Sequence, residues 1–299
     1  MEKAPFSILD LNFLSLPGAI AVYLIQLPGS VVLIETGPTS TIPQLTAQLA
    51  SYGIQPSDIT DIFLTHIHLD HAGAVGWLAQ NGATIHVHPN GAPHLINPEK
   101  LLNSASRIYG DQMDSLWGKF LPVPPSQIHQ TQHEEIIRLN GAEFKIFETQ
   151  GHADHHNCIL YKGILFSGDI GGIRISQSNH IELPTPPPEF DPFKWHSSIE
   201  LMKSIHPVLL APTHFGSYTD VTYHLNKLGD TLSELEEWLS SVMQTQPQLS
   251  DLTSLFMEWL NKKGRIGFDP AIQPYFEVLN PSWMSAAGLY RYWNKTHQT

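Results

Sequence analysis

The segment Thr65-His66-Ile67-His68-Leu69-Asp70-His71 constrains this chain more than any other, because four side chains able to bind a metal fall within six positions. It follows the apolar run Ile62-Phe63-Leu64 and reads His-x-His-x-Asp-His. At a strand end, residues two apart share a face, so His66 and His68 are expected side by side. A helix beginning near Asp70 would turn Asp70 and His71 toward a second side of the same small volume. One segment could then supply ligands to two adjacent cations.

Three later segments share one pattern, in which an apolar strand runs into a small or turn residue and then a ligand type. His152 ends Thr149-Gln150-Gly151-His152 after the run Phe144 to Glu148, and Asp169 ends Phe166-Ser167-Gly168-Asp169 after Ile164-Leu165. His214 ends Ala211-Pro212-Thr213-His214 after Val208 to Leu210. In this way one rim of a β-scaffold collects side chains at a common point. Imidazole with carboxylate suits zinc, iron or manganese. The lone Cys158 permits neither an intrachain disulfide nor a cysteine-type zinc site, and it favours a reducing compartment.

The bulk numbers exclude some partners. With 16 basic and 28 acidic residues the net charge is −12, which argues against nucleic acid and anionic membrane as partners. The 17 histidines fit a metal protein. The apolar segment from Leu11 to Leu27 is interrupted by Pro17-Gly18 and has no basic start with a small-residue cleavage site, so it is not read as a signal peptide. No run of roughly 18 apolar residues is present to span a bilayer. A soluble, cytoplasmic protein acting on a small molecule is expected, with a homodimer left open.

The elements follow from periodicity and turn chemistry. Ile20 to Leu27 and Ser30 to Thr36 form a hairpin through Pro28-Gly29, and Ile42 to Tyr52 has helical spacing with Gly53 as C-cap. Asp61 to Thr65 is a strand, Ala72 to Gln80 a helix, and Thr84 to His88 an edge or half-buried strand. Pro93 to Pro125 is an irregular, partly helical insertion of the kind that lines a site. A second β series comprises Glu135 to Leu139, Glu143 to Glu148, Cys158 to Tyr161 and Ile164 to Phe166, with tight turns at Asn140-Gly141 and Lys162-Gly163. Pro184 to Pro188 is a linker or wall loop, Phe193 to Ile205 a helix, and Val208 to Ala211 a last buried strand. Beyond it Leu225 to Met243, Leu252 to Asn261 and Ser285 to Trp293 read as helices. The chain is therefore divided into an α/β unit, 1–223, and a helical C-terminal region, 224–299. The two β series look like the halves of a sandwich.

His66-x-His68-x-Asp70-His71, Gly151-His152, Ser167-Gly168-Asp169 and Thr213-His214 occur in an order that resembles the metallo-β-lactamase-fold hydrolase superfamily, in its glyoxalase-II-like and lactonase-like branch. The strand ending Leu33-Ile34-Glu35-Thr36-Gly37 is similar to that family's early motif, except that the family usually has Asp where this chain has Glu35. The resemblance implies a four-layer αββα sandwich with a helical C-terminal extension. It implies one metal held by His66, His68 and His152, a second held by Asp70, His71 and His214, and Asp169 bridging the two. Two divalent ions are expected, zinc first, with iron or manganese as alternatives. Sharing a carboxylate, they would lie roughly 3.5–4 Å apart with a nucleophilic hydroxide between them. Asp70 would orient it and pass a proton to the leaving group.

The activity so implied is hydrolysis of a small ester, lactone or thioester. The alternatives are an iron-dependent oxidoreductase on the same fold and a phosphoester or phosphotriester hydrolase. Arg107, Tyr109, Trp117 and Arg174 are the candidate substrate residues, Arg174 for an anionic group and Tyr109 for a developing oxyanion. His155 and His156 are expected to hydrogen-bond or pack beside the site rather than bind metal, and Cys158 to behave as a small buried hydrophobe.

Overall fold

The computed structural model describes residues 4–175, 179–264 and 273–297. Two sheets face each other. The first holds β1 (Ser7–Asp10), β2 (Ala21–Leu27), β3 (Ser30–Ile34), β4 (Ile59–Phe63), β5 (Thr84–Val87) and β6 (Ile128–Gln130), side by side in that order. The second runs β11 (Leu209–Ala211), β10 (Ile164–Phe166), β9 (Asn157–Tyr161), β8 (Ala142–Glu148), β7 (Ile136–Leu139). The expected hairpins are all present as antiparallel pairs: β2 with β3, β7 with β8, and β9 with β10.

Helices cover both outer faces. On the first sheet's side lie α1 (Ile42–Ser51), α2 (Leu69–Ala72), α3 (Val75–Gln80), α4 (Ala92–Ile96), α5 (Glu99–Tyr109) and α6 (Met113–Trp117), which bury Leu45, Leu49, Leu78 and Leu95 in one apolar cluster with Leu33, Ile62 and Ile85. On the second sheet's side lie α7 (Pro192–Ser204), α8 (Val221–Met243) and α9 (Leu249–Lys263), whose Trp195, Leu228, Leu232 and Phe256 pack with Leu165 and Leu210. Between the sheets Phe63 stacks on Phe144, and Phe144 on Tyr161, with ring centroids 4.8 and 4.7 Å apart. The architecture is the four-layer αββα sandwich.

Three strands differ from expectation, the first being β1, which was not foreseen and is held by its antiparallel pairing with β2. β5 is not an edge strand: it pairs in parallel with both β4 and β6, and Ile85, His86 and Val87 are all buried. The alternation of Thr84 to His88 misled because His86 is accommodated in the interior by Asp61, whose carboxylate lies 2.8 Å from His86 Nε2, and by stacking on Phe63. β6 has no signal of its own in three residues, Ile128-His129-Gln130, and is held by its pairing with β5.

The last two helices, α10 (Gln273–Leu279) and α11 (Ser282–His297), straddle the layers. Phe276 and Leu279 of α10 join the apolar cluster on the first sheet's side, whereas Ala286 and Leu289 of α11 join the cluster on the second. The boundary drawn after residue 223 falls within α8, three residues from its start. Among the described residues no helix is long and apolar enough to cross a membrane.

A close approach fixes α11. A Cβ on Gly288 would lie 1.9 Å from the Thr185 carbonyl oxygen, so only glycine lets the helix rest on the Pro184–Pro188 segment. Gly288→Val is expected to lower the unfolding free energy by about 1–3 kcal/mol, the cost of overpacking, read as a lower midpoint in a thermal or urea melt.

Candidate metal centre

The histidine segment begins later than its strand. β4 ends at Phe63, so Leu64 to His68 is loop rather than strand, and α2 starts at Leu69. The consequence foreseen for a strand end still holds, because His68 keeps extended dihedrals as the residue before the helix. His66 Nε2 lies 2.9 Å from His68 Nδ1, and His152 Nε2 lies 2.9 Å from the same atom. The three ring nitrogens converge on one point. One helical turn later, Asp70 and His71 face His214: His214 Nε2 is 3.3 Å and His71 Nε2 3.6 Å from Asp70 Oδ2.

Asp169 lies between the two groups. Its Oδ1 is 3.2 Å from His71 Nε2 and 3.5 Å from His214 Nε2, while its Oδ2 is 3.5 Å from His152 Nε2. The turn that presents it depends on Gly168, at φ +51, where a Cβ would come within 2.4 Å of Thr65 Oγ1 and 2.7 Å of His156 Nε2. The seven side chains expected from the sequence are thus brought together, and His66, His68, His152 and Asp70, His71, His214 each form a group whose ligand atoms lie within 4.8 Å of one another.

Neighbouring groups set the direction of each ring. Glu35, fully buried at φ +69, takes hydrogen bonds from Thr65 Oγ1, from Thr213 Oγ1 at 3.3 Å and from His71 Nδ1 at 3.2 Å. Since the Thr65 hydroxyl proton goes to Glu35, Thr65 Oγ1 is left to accept from His66 Nδ1, 3.0 Å away. His152 Nδ1 donates to Pro184 O and His214 Nδ1 to Ala19 O, both at 2.9 Å. In each of these four rings Nε2 is then the nitrogen turned to the centre. Glu35 also lies within 4.8 Å of His66 and His71 by ligand atoms, but its oxygens are already engaged by Thr65, His71 and Thr213.

Electrostatics separates the two groups. Burial, reinforced by neighbouring imidazoles, holds His66 well below the usual histidine range and His68 at about 4, and burial also lowers His152. These rings are neutral at pH 7. Burial opposes charge on the other side too, but there the carboxylates outweigh it: Asp169 and Asp70 raise His71 and His214. Those two imidazoles in turn overcome the burial of Asp70 and hold its carboxyl at about 2.

Whether a cation fits here is answered by the polar atoms themselves. His71 Nε2, His214 Nε2 and Asp169 Oδ1 are buried with no hydrogen-bond partner, and all three face the centre. Orphaned donors or acceptors of this kind cost about 1–3 kcal/mol each unless something engages them. Imidazole and carboxylate, with no thiolate, form a donor set suited to a divalent transition metal. The residues fit.

A cavity of about 450 Å³ opens above this centre, with His68, Asp70, His152, Asp169 and His214 on its floor. Tyr109 and Trp117 line it, and so does the Pro184–Pro188 segment through four of its prolines. Arg107 does not; it is exposed on α5. Arg174 does not either. Its guanidinium is buried, bonds both oxygens of Asp220 at 2.9 and 2.8 Å and sits 4.1 Å from the Tyr218 ring centroid. Its backbone accepts from Phe215 N at 3.2 Å and donates to His214 O at 2.8 Å, so it braces the His214 loop from behind.

His155 and His156 stay outside the ligand groups. His155 lines the cavity with Nε2 3.4 Å from Glu189, and His156 is buried against Thr149 Oγ1 at 3.0 Å. Cys158 is buried, and burial pushes its thiol up to about 12. His94 and Lys100 also line the cavity, and their place in an irregular insertion gave them no signal.

The sequence profile of the Metallo-beta-lactamase superfamily matches residues 16–214, more than half of the chain. The chain belongs to this superfamily. It is 28% identical over 159 residues to the metallo-beta-lactamase fold-containing protein ST1585 of Sulfurisphaera tokodaii, covering 52% of this chain and 60% of that one. It is 25% identical over 146 residues to a hydroxyacylglutathione hydrolase of Xanthomonas euvesicatoria, covering 49% and 44%. The matches thus span about half the length of these curated relatives. Among solved structures, the metallo-beta-lactamase family protein TTHA1429 of Thermus thermophilus superposes with a TM-score of 0.69 at 18% identity, over 98% of this chain and 94% of that one. That similarity extends the shared fold through the C-terminal helices. Members of the superfamily are mostly metal-dependent hydrolases.

The bracing position of Arg174 makes a prediction. Arg174→Leu removes the guanidinium bonds to Asp220 while keeping the backbone bonds to the His214 loop, and is expected to cost about 1–3 kcal/mol of stability, measured by urea titration. Unchanged stability would show that the pair with Asp220 contributes nothing to the fold.

Proposed function

We propose that this chain holds two divalent metal ions, zinc first with iron or manganese as alternatives, and hydrolyses a small ester, lactone or thioester. The observation that carries the reading is the position of Asp169, whose two oxygens face different histidine groups: Oδ1 toward His71 and His214, Oδ2 toward His152. His66, His68 and His152 would hold one ion, Asp70, His71 and His214 the other, and Asp169 would contact both. Bound ions supply Lewis-acid polarisation of an acyl oxygen and lower the pKa of water to about 7.

The chain's own groups do the rest. Glu35, Thr65, Pro184 and Ala19 fix the His71, His66, His152 and His214 rings by engaging their outward nitrogens, so none of these four has to reorient during reaction. Asp70 lines the cavity and is ionised at neutral pH, so it can accept a hydrogen bond from water and orient it; relaying a proton to the leaving oxygen or sulfur is its proposed second role. Tyr109 lines the same cavity, and burial together with the Asp70 charge pushes its hydroxyl above the usual tyrosine range, so it stays protonated and can turn its proton from Met284 Sδ to the oxyanion.

Similarity to a hydroxyacylglutathione hydrolase supports transfer of an acyl group to water. The charge around the cavity weighs against a phosphoester. Among the described lining residues Lys100 is the one lysine or arginine, against Asp70, Asp169, Glu189 and Glu277.

Elemental analysis of the purified protein is expected to find two zinc or manganese ions per chain. Turnover of esters, lactones or thioesters should disappear on chelation and return with metal. One iron per chain with oxygen uptake, or turnover confined to phosphoesters, overturns the reading. Asp70→Asn is expected to lower kcat by about 10²–10⁴-fold, and His152→Ala to lose both activity and metal. Glu35→Gln, which leaves the ligands in place but weakens their support, should reduce metal affinity by about 10–100-fold in a chelator competition.

A further inference from the structure

Away from its floor the cavity is mainly apolar, although His94, Lys100, Gln112, Glu189 and Glu277 also line it. Its walls are Leu101 and Ile108 of α5, Leu116 of α6, and Val278, Leu279 and Met284 of the α10–α11 corner. The superfamily match ends at residue 214, so half of this wall belongs to a part of the chain that the shared profile does not describe. The wall is firmly held. Tyr109 Oη donates to Met284 Sδ at 3.3 Å, joining α5 to α11 across the cavity. Thr185 Oγ1 donates to Ser285 O at 3.2 Å, joining the proline segment to the same helix.

A volume of about 450 Å³ is within the ~300–1,000 Å³ range of sites that enclose a whole small ligand. Metal chemistry needs only the floor, and a minimal acyl group would leave the six aliphatic and thioether side chains unused. We propose that this wall binds a straight aliphatic chain, so that the substrate is an ester or thioester of a medium- to long-chain carboxylic acid with its carbonyl at the floor. The assignment rests on the hydrolase reading for its chemistry and on the cavity alone for its binding. In the reaction the water oxygen bonds to the acyl carbon and the bond to the leaving oxygen or sulfur breaks. One water proton goes to the alcohol or thiol, and the acid departs as its carboxylate with release of the other proton.

The test uses two readouts on the metal-loaded full chain. Calorimetric titration with acetate, butyrate, hexanoate, octanoate and decanoate measures binding of the product without turnover. A matching series of p-nitrophenyl esters and of acyl thioesters gives kcat/KM. Affinity and kcat/KM are both expected to rise about three- to fourfold per added methylene, the factor that burial of one methylene supports. Met284→Gln and Val278→Thr, each checked for native circular dichroism, should flatten that dependence, and either folded variant suffices. Chain-length-independent binding and turnover would overturn the acyl site while leaving the hydrolase reading intact. Chain-length-dependent binding with no ester or thioester turned over would overturn the hydrolase reading and leave the apolar site standing.

Discussion

A single buried carboxylate sets the polarity of half the centre. Glu35 has no solvent to share its charge with, and it accepts from Thr65, His71 and Thr213, which lie in or beside the ligand motifs. Because a carboxylate can only accept, the direction of every proton around it follows. His71 must donate through Nδ1 and Thr65 must donate its hydroxyl, which in turn makes His66 donate to Thr65. Three residues that look independent in the sequence therefore share one electrostatic reference. Glu35 itself sits on left-handed backbone at φ +69, a conformation uncommon outside glycine.

The same logic continues outward on the other side. His152 is oriented by the carbonyl of Pro184, and Pro184 belongs to the segment on which α11 rests through Gly288 and through the bonds between Thr185 and Ser285. Asn280, at the corner between α10 and α11, donates to Leu183 O at 3.4 Å and accepts from Ser285 at 2.5 Å. The C-terminal helices thus do two jobs. They complete a cavity wall, and they support the backbone that fixes a histidine of the centre.

What was legible in the sequence was local chemistry and short-range geometry. The seven ligand types could be found because each follows shortly after an apolar strand, and that arrangement depends on a few adjacent residues. The hairpins at Asn140-Gly141 and Lys162-Gly163 were legible for the same reason. Arg174 was misread because its partner, Asp220, is 46 positions away, and an arginine near a ligand motif looks the same whether it meets a substrate or a buried partner. β6 escaped because three residues carry no periodicity, and α10 escaped because the apolar residues at the chain's end are used across two layers rather than against one neighbour. Tyr109 and Trp117 do line the cavity, whereas the partner that makes Tyr109 informative, Met284, lies 175 residues later.

The rigidity of the centre and the freedom of the wall are consequences of where each is built. The ligands sit where strands and tight turns end, and a displacement of about 1 Å there would break several contacts at once, since Asp169 alone faces His71, His152 and His214. The wall comes from an insertion and from helices that reach the rim after the sandwich is complete, and much of its apolar surface faces open cavity. Substituting Val278 or Met284 changes the lining without touching a hydrogen bond of Glu35 or Asp169. In the proposed reading chemistry and selectivity are carried largely by different parts of the chain, which meet at the floor residues His68, Asp70, His152, Asp169 and His214 and at Tyr109. A scaffold divided in this way can change its substrate by altering the last two helices while the reaction at the floor stays the same.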